Sequence, residues 1–464
     1  MRFIENMTFE EIEIGTTAEL TTTLRPGDIA RLATMSGDAN PAHTDVAYES
    51  SEDFRGFVTH GIWGTALITS LLATELPGPG ARYVGQALSF DHPVDVGDTV
   101  TVRLRVASKD ESRGALTLDC TCTNQNGLVV ISGTVDVLAP SEKIRRPRAA
   151  LPVERTHQPG VLFREWIART AGQPATPTAV VHPCDALSLG GAMAAAAEGM
   201  IEPILVGPAQ KIEATAEAAG LSLDGVEIID APHSHAAAEQ AVALVREGRA
   251  GILMKGKLHT DELMGPVVDR DTGLRTERRM SHVFGLDVPH YPKPLFITDA
   301  ALNIFPDLDT KRDIVQNAID LAHALGIAQP RVAILSAVET VYSKVPSTIE
   351  AAALCKMLDR GQITGGIIDG PLAFDNAVSK SAALSKGIAS DVAGEADILV
   401  VPDLEAGNMI AKQLVYLAGA DAAGIVLGAR IPIVLTSRAD GISSRLASAA
   451  MAQLLTLHST ATAG

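Results

Sequence analysis

About a third of the way along, the chain changes its periodicity, and a stretch with little pattern separates the two regimes. Before residue 139, apolar and polar residues alternate, as in Thr99 to Ala107 and Ala115 to Cys122. After residue 160, short unbroken apolar runs alternate with amphipathic helical stretches. A period of two belongs to half-buried antiparallel strands, whereas continuous runs between helices belong to parallel strands covered on both faces. One core cannot satisfy both, and 464 residues are too many for one ordinary domain. The expectation is an α+β domain over 1–140, a linker over 141–160 and an α/β domain over 161–464. The linker holds Pro147, Pro152 and Pro159 beside Lys143, Arg145, Arg146 and Arg148, which suit a solvated tether or a docking patch for a phosphorylated ligand.

In the front part, the apolar run from Gly61 to about Leu76 predicts a buried helix, ended by Leu76-Pro77-Gly78-Pro79-Gly80. Strand patterns follow at Tyr83–Phe90, Thr99–Ala107, Ala115–Cys122 and Leu128–Val137, with a turn at Asp95-Val96-Gly97-Asp98. A central helix wrapped by an antiparallel sheet fits this order. Ahead of the helix lies Gly37-Asp38-Ala39-Asn40-Pro41-Ala42-His43, which spaces a carboxylate and an imidazole so that both can address one water. The same residues also suit an ordinary turn. A helix starting near Gly61 would aim free backbone N–H groups at that loop, and His60 beside it reads as structural.

The G-D-x-N-P-x-H loop, the H-G helix start, L-P-G-x-G and P-V-x-x-G-D resemble the MaoC-like (R)-specific enoyl-CoA hydratases of the hot-dog fold, over roughly residues 8–140. The resemblance implies that Asp38 and His43 hold and deprotonate a water and that Asn40 fixes the loop. It also implies that the Gly61 N–H polarises the thioester carbonyl and that the protein forms a homo-oligomer. A non-catalytic domain that only binds acyl-CoA or mediates assembly stays open.

In the back part, apolar runs at Pro203–Gly207, Gly251–Met254, Arg331–Leu335, Asp397–Val401 and Ile431–Leu435 predict a largely parallel sheet, whose ligand loops follow the strand ends. Met254-Lys255-Gly256-Lys257 brings two ammonium groups and a glycine to one such end. Asp375 and Asn376 in D-G-P-L-A-F-D-N-A, and Asn408 in P-D-L-E-A-G-N, lie at two others. Thr436-Ser437-Arg438-Ala439-Asp440 places a hydroxyl, a guanidinium and a carboxylate after the last run. There Arg438 suits a bidentate phosphate contact, Ser437 can donate to a developing oxyanion and Asp440 can accept a thiol proton. Helix capping by Ser437 and Asp440 is the alternative.

Those motifs, with L-M-K-G-K, S-H-V and T-D-A-A-L-N-I, resemble the phosphate acetyl/butyryltransferase family over about 175–455. The resemblance implies two α/β/α subdomains and direct, reversible acyl transfer between CoA and phosphate. The acetyltransferase branch has an aspartate where Ser444 stands and an arginine where Gly265 stands, so the motif set looks more like the butyryltransferase branch. Asp440 is then the candidate base, with Arg275 and Arg278 as added positive charge for phosphate or CoA.

A net charge of −17 disfavours nucleic acid and anionic membranes as partners, and 4% aromatic residues give no stacking platform. Cys120, Cys122, Cys184 and Cys355 lack metal-site spacing and read as structural thiols. No G-x-G-x-x-G follows a strand, which disfavours a nicotinamide oxidoreductase. The expected protein is a cytoplasmic, bifunctional CoA-thioester enzyme with acyl-CoA, CoA and phosphate or acyl phosphate as its partners, and with no metal or prosthetic cofactor.

Overall fold

The computed structural model describes residues 3–38, 61–147, 160–436 and 440–463. It divides into two compact units, Met1–Glu154 and Arg155–Gly464. His43, Asn40, Ser437 and Arg438 lie outside the described residues.

The strands of the first unit are β1 (Phe3–Glu5), β2 (Thr17–Thr23), β3 (Arg82–Phe90), β4 (Thr99–Asp110), β5 (Ala115–Thr123), β6 (Val129–Leu138) and β7 (Arg145–Pro147). Five of them form an antiparallel sheet in the order β2-β4-β5-β6-β3. Alternation decides its faces: Val100, Val102, Leu104 and Val106 of β4 and Leu116, Leu118, Cys120 and Cys122 of β5 all point into one core. Helix Gly61–Thr74 contributes Trp63, Ile68, Leu71 and Leu72 to that core. It lies close on the sheet because position 64 is glycine; a Cβ there would sit 2.2 Å from the Ile131 side chain.

The stretch expected to begin the linker belongs instead to this unit. β7 pairs antiparallel with β1, and the buried Asn6 side chain donates to the Glu142 carbonyl (2.7 Å) and accepts from the Ile144 N–H (2.8 Å). Lys143 pairs with Glu11 at 2.8 Å and Arg145 with Glu5 at 3.7 Å, so these cations are held by acidic neighbours rather than presented on a free tether.

The second unit is built on one eleven-stranded sheet in the order β10-β9-β8-β11-β18-β17-β12-β13-β16-β14-β15. Its members are β8 (Thr176–Val181), β9 (Ile201–Gly207), β10 (Glu227–Asp230), β11 (Ile252–Lys255), β12 (Ser281–Asp287), β13 (Leu295–Thr298), β14 (Arg331–Leu335), β15 (Ile367–Leu372), β16 (Ile398–Val400), β17 (Asp421–Leu427) and β18 (Ile433–Val434). β8 to β11 and β18 are mutually parallel, and so are β13 to β16. Between these groups β17 and β12 pair antiparallel with all their neighbours, so the two parallel halves run in opposite senses. One apolar cluster runs through both halves, holding Val180 and Leu205 of the first and Val332 and Ile398 of the second. Separate clusters complete the core, around Val206 and Leu253 in one half and around Ala333 and Leu399 in the other. This is the expected pair of α/β/α subdomains joined by a shared sheet.

Candidate functional site

In the first unit, helix Pro26–Ser36 stops where Gly37 takes a left-handed φ of 72°, and the Asp38 N–H donates back to the Ala33 carbonyl at 3.0 Å. Asp38 is therefore fixed through its backbone at a helix end, half-buried. That helix packs against helix Gly61–Thr74, whose first residue is the expected carbonyl-polarising Gly61. Two of the expected front-site residues thus start and end elements that touch.

In the second unit, a first group gathers at the ends of β8, β11 and β18. The Lys255-Gly256-Lys257 segment crosses the end of β8, with the Gly256 N–H donating to the Val181 carbonyl (2.9 Å) and the Lys257 N–H to that of His182 (2.8 Å). A Cβ on Gly256 would lie 2.4 Å from the Val181 carbonyl oxygen, so the glycine serves this chain crossing. Lys255 is buried, and Lys257 is exposed beside His182, whose Nδ1 sits 2.7 Å from the Lys257 carbonyl.

Arg445 is the residue that sequence reasoning passed over. It is 5% exposed on helix Ile442–Ala463, where its Nη1 donates to Thr436 Oγ1 (2.8 Å) and its Nε to the Asp440 carbonyl (3.2 Å). One guanidinium therefore ties the residue before Ser437 to the residue after Ala439. Its stem passes Gly191, where a Cβ would come within 2.5 Å of the Arg445 Cδ, which gives that glycine a packing role. Burial pulls the Arg445 pKa down while Asp440 and Asp185 oppose it. Burial pushes the Asp185 carboxyl up, but hydrogen bonds from Ser188 and the charges of Arg445 and Lys257 outweigh this and hold it below the usual carboxylate range. Arg445→Met should lower phosphate-dependent CoA release about tenfold or more, the worth of a lost charge-assisted hydrogen bond. Arg445→Lys should recover part of it in the same assay.

A second group follows β13. Asp299 is buried and accepts from the N–H groups of Ala301 (2.9 Å), Leu302 (3.1 Å) and Asn303 (3.2 Å), while burial raises its pKa against those bonds. Asn303 Nδ2 donates to Asp299 (2.6 Å) and to the Met280 carbonyl (2.8 Å). Asn303, Arg275, Arg278 and Arg279 line one cavity of about 370 Å³. The expected ligand contact Asn408 stands next to this group, donating to the Ala300 carbonyl at 3.3 Å. Arg278 also pairs with Asp320 at 2.5 Å.

Asp375 and Asn376 form a third group. Asp375 is exposed and lies 3.7 Å from Lys386, and Asn376 is fully buried with its Nδ2 3.5 Å from Glu339. The Asn376 backbone carbonyl accepts from Gly394, and its buried Oδ1 has no hydrogen-bond partner among the described residues.

His282, of the S-H-V motif, is fully buried between Phe284 and Gly424, and its Nδ1 has no hydrogen-bond partner among the described residues. Burial lowers its pKa to about 3. The folded state thus holds it neutral, while the unfolded chain binds its proton near pH 6.5. Its contribution is complete above about pH 6.5 and is lost as pH falls toward 3, at up to about 1.4 kcal/mol per pH unit. His282→Leu should therefore lose less stability than the natural chain between pH 7 and pH 4.5 in denaturant unfolding.

Comparison with known proteins fits this division. Residues 235–453 match the phosphate acetyl/butaryl transferase family and residues 8–123 the MaoC like domain. A phosphate acetyltransferase of Rhizobium meliloti is 65% identical over 297 residues, 64% of this chain and 94% of the relative. The chain belongs to the phosphate acetyl/butyryltransferase family. A phosphate butyryltransferase of Clostridium acetobutylicum is 41% identical over 293 residues, 63% of this chain and 97% of that one. The structure of a branched-chain phosphotransacylase from Enterococcus faecalis V583 overlays with a TM-score of 0.53 at 29% identity, covering 61% of this chain and 99% of that one. The higher identity goes to the relative named for acetyl transfer, against the lean toward the butyryl branch drawn from Ser444 and Gly265. The first unit is a MaoC-like domain of the hot-dog fold. No helix among the described residues is long and apolar enough to cross a membrane.

Proposed function

We propose that the chain is a bifunctional enzyme of short CoA thioesters. Its second domain exchanges CoA and phosphate on an acyl group, acetyl or butyryl: a phosphate oxygen attacks the thioester carbonyl, the C–S bond breaks, and the departing CoA thiolate takes up a proton. The observation that carries this reading is the Arg445 guanidinium holding Thr436 and Asp440, on either side of the Ser437-Arg438 pair, at the end of β18 beside β11, which ends at Lys255, with Arg445 and Lys257 both acting on the Asp185 carboxylate. Arg438 would orient phosphate, Ser437 would donate to the carbonyl oxygen as it gains charge, and Asp440 would accept the CoA thiol proton in the reverse direction. The chemistry needs no metal or redox group.

The first domain would add water across a short trans-2-enoyl-CoA to give the (R)-3-hydroxyacyl-CoA. Asp38 and His43 would share the water, Asn40 would fix their loop, and the Gly61 N–H would polarise the thioester. A panel of acyl-CoA substrates, scored separately for hydration and for phosphate-dependent CoA release, tests both halves. Absence of CoA release with every acyl group sinks the transferase reading. Absence of hydration with crotonyl-CoA leaves the front domain as an acyl-CoA-binding or assembly module.

A homo-oligomer is part of the proposal. Edge strand β3 leaves Tyr83, Val84 and Phe90 exposed, and so are Phe305 and Tyr342 in the loops after β13 and β14 and Met409 on helix Leu404–Tyr416. Both are apolar surfaces of the kind that association covers.

A further inference from the structure

We propose that His282 is a positioning residue for acyl transfer: when substrates bind, its Nε2–H hydrogen-bonds the Leu435 carbonyl and fixes the strand end that leads into the Thr436–Asp440 loop. This rests on the acyl-transfer reading and gives a role to a residue which that reading leaves unused.

His282 is polar where the fold asks for an apolar side chain. It is 1% exposed on β12, its ring packs edge-on against Phe284, and its Nδ1 has no hydrogen-bond partner among the described residues. Burial keeps the ring neutral, so it carries one N–H and one lone pair. A buried donor or acceptor left unmade destabilises the fold, and a leucine would fill much the same space without that cost. The imidazole is explained by a partner that comes within reach in another conformation. A ring so enclosed has no direct contact with substrate, so its effect must pass through that partner.

The geometry around Gly424 names the partner. The place a Cβ would take on Gly424 lies 3.0 Å from His282 Nε2 and 2.6 Å from the Leu435 carbonyl oxygen, so both atoms face one small space that the glycine keeps open. The ladder between β17 and β18 is incomplete at this point. The Leu435 N–H donates to the Gly424 carbonyl (3.2 Å), but the Gly424 N–H, which would return the bond to Leu435, goes to Ser448 Oγ (3.0 Å). A small displacement of the strand end brings the Leu435 carbonyl onto the imidazole N–H. The next residue is Thr436, already held by Arg445.

His282 also touches the other half of the sheet. Its carbonyl accepts from Thr298 Oγ1 (2.9 Å), and Thr298 ends β13 directly before Asp299. One residue thereby ties the strand ahead of the Asp299 group to the strand ahead of the Thr436–Asp440 loop.

The test uses the full-length protein. His282→Leu should lower kcat for phosphate-dependent CoA release by roughly 10- to 100-fold, the cost of a loop misplaced by about 1 Å, with the KM for phosphate and for acyl-CoA within about twofold. At neutral pH its unfolding midpoint should equal or exceed that of the natural chain. His282→Gln, which returns an N–H to the same region, should recover part of the rate. With histidine isotopically labelled in its ring nitrogens, CoA and inorganic phosphate added to the natural chain should move the resonance that His282→Leu removes toward that of a hydrogen-bonded N–H. The proposal is overturned if that resonance stays in place, or if His282→Leu turns over at close to the natural rate. A lowered midpoint with an unchanged rate per folded molecule, or a lost rate that His282→Gln does not recover, makes His282 a packing residue and overturns it as well. A natural chain whose His282 resonance moves, yet which releases no CoA from any acyl-CoA, would keep the link between ring and strand while losing the acyl-transfer reading.

Discussion

Arg438→Ala is expected to lower phosphate-dependent CoA release by about two to three orders of magnitude, with the unfolding midpoint of the protein close to that of the natural chain. Phosphate is a poorly nucleophilic anion in neutral water, and a chain of net charge −17 repels it in bulk. A local cation has to gather it, and a planar guanidinium also fixes two of its oxygens, leaving a third aimed at the thioester carbonyl. Folding should be spared because the residues flanking the loop, Thr436 and Asp440, are held by Arg445. Arg438→Lys should fall between, since an ammonium supplies the charge without the fork. Initial rates across a phosphate series separate the outcomes: a raised KM for phosphate and a lowered kcat follow from lost gathering and lost orientation. Turnover within a few-fold of the natural chain would remove Arg438 from the reaction.

Much of both domains is legible in the sequence because it is written in local periodicity. β4, β5 and β6 follow from alternation, and β14 follows from an apolar run with the bounds expected of it. The elements that are not legible fail for physical reasons. β2 reads Thr-Ala-Glu-Leu-Thr-Thr-Thr, and its pairing rests on partners far away in sequence, with Thr21 and Thr23 hydroxyls 3.0 and 2.9 Å from those of Thr101 and Thr99. β7 is a short exposed strand that pairs with β1 at the other end of the domain. The reversed direction of β12 and β17 is topological, and no local pattern encodes the sense in which a strand is traversed.

The candidate sites divide in the same way. Strand-end loops were visible because polar residues follow apolar runs, yet residue type alone does not tell a ligand contact from a packing contact. Gly256 has the right position, and the chain crossing at the end of β8 accounts for it without a ligand, whereas Asn376 is buried with its Nδ2 near Glu339 and its Oδ1 without a hydrogen-bond partner among the described residues. Arg445 shows the converse. An arginine four residues into a helix reads as a solvated face, and only the fold shows that it is buried and bonded to both ends of the loop. The signal that could have marked it is Gly191, a small residue in an alanine-rich helix that leaves room for the arginine stem.

The same distinction sets the second large effect, in the hot-dog domain. Asp38→Asn should lower hydration of crotonyl-CoA by about two to four orders of magnitude, the usual contribution of a positioned general base. Asparagine keeps the size and one acceptor oxygen but cannot take a proton, so the variant separates basicity from shape. Asp38 is placed by its backbone, through the left-handed turn at Gly37 and the N–H bond to Ala33, and neither depends on the carboxylate. The variant should accordingly unfold near the natural midpoint and bind crotonyl-CoA with similar affinity. Phosphate-dependent CoA release by the second domain serves as the internal control, because Asp38 belongs to a separate compact unit. Hydration that survives Asp38→Asn within tenfold would show that the carboxylate is not the base, whereas loss of both activities together would show that the substitution acts through folding of the whole chain.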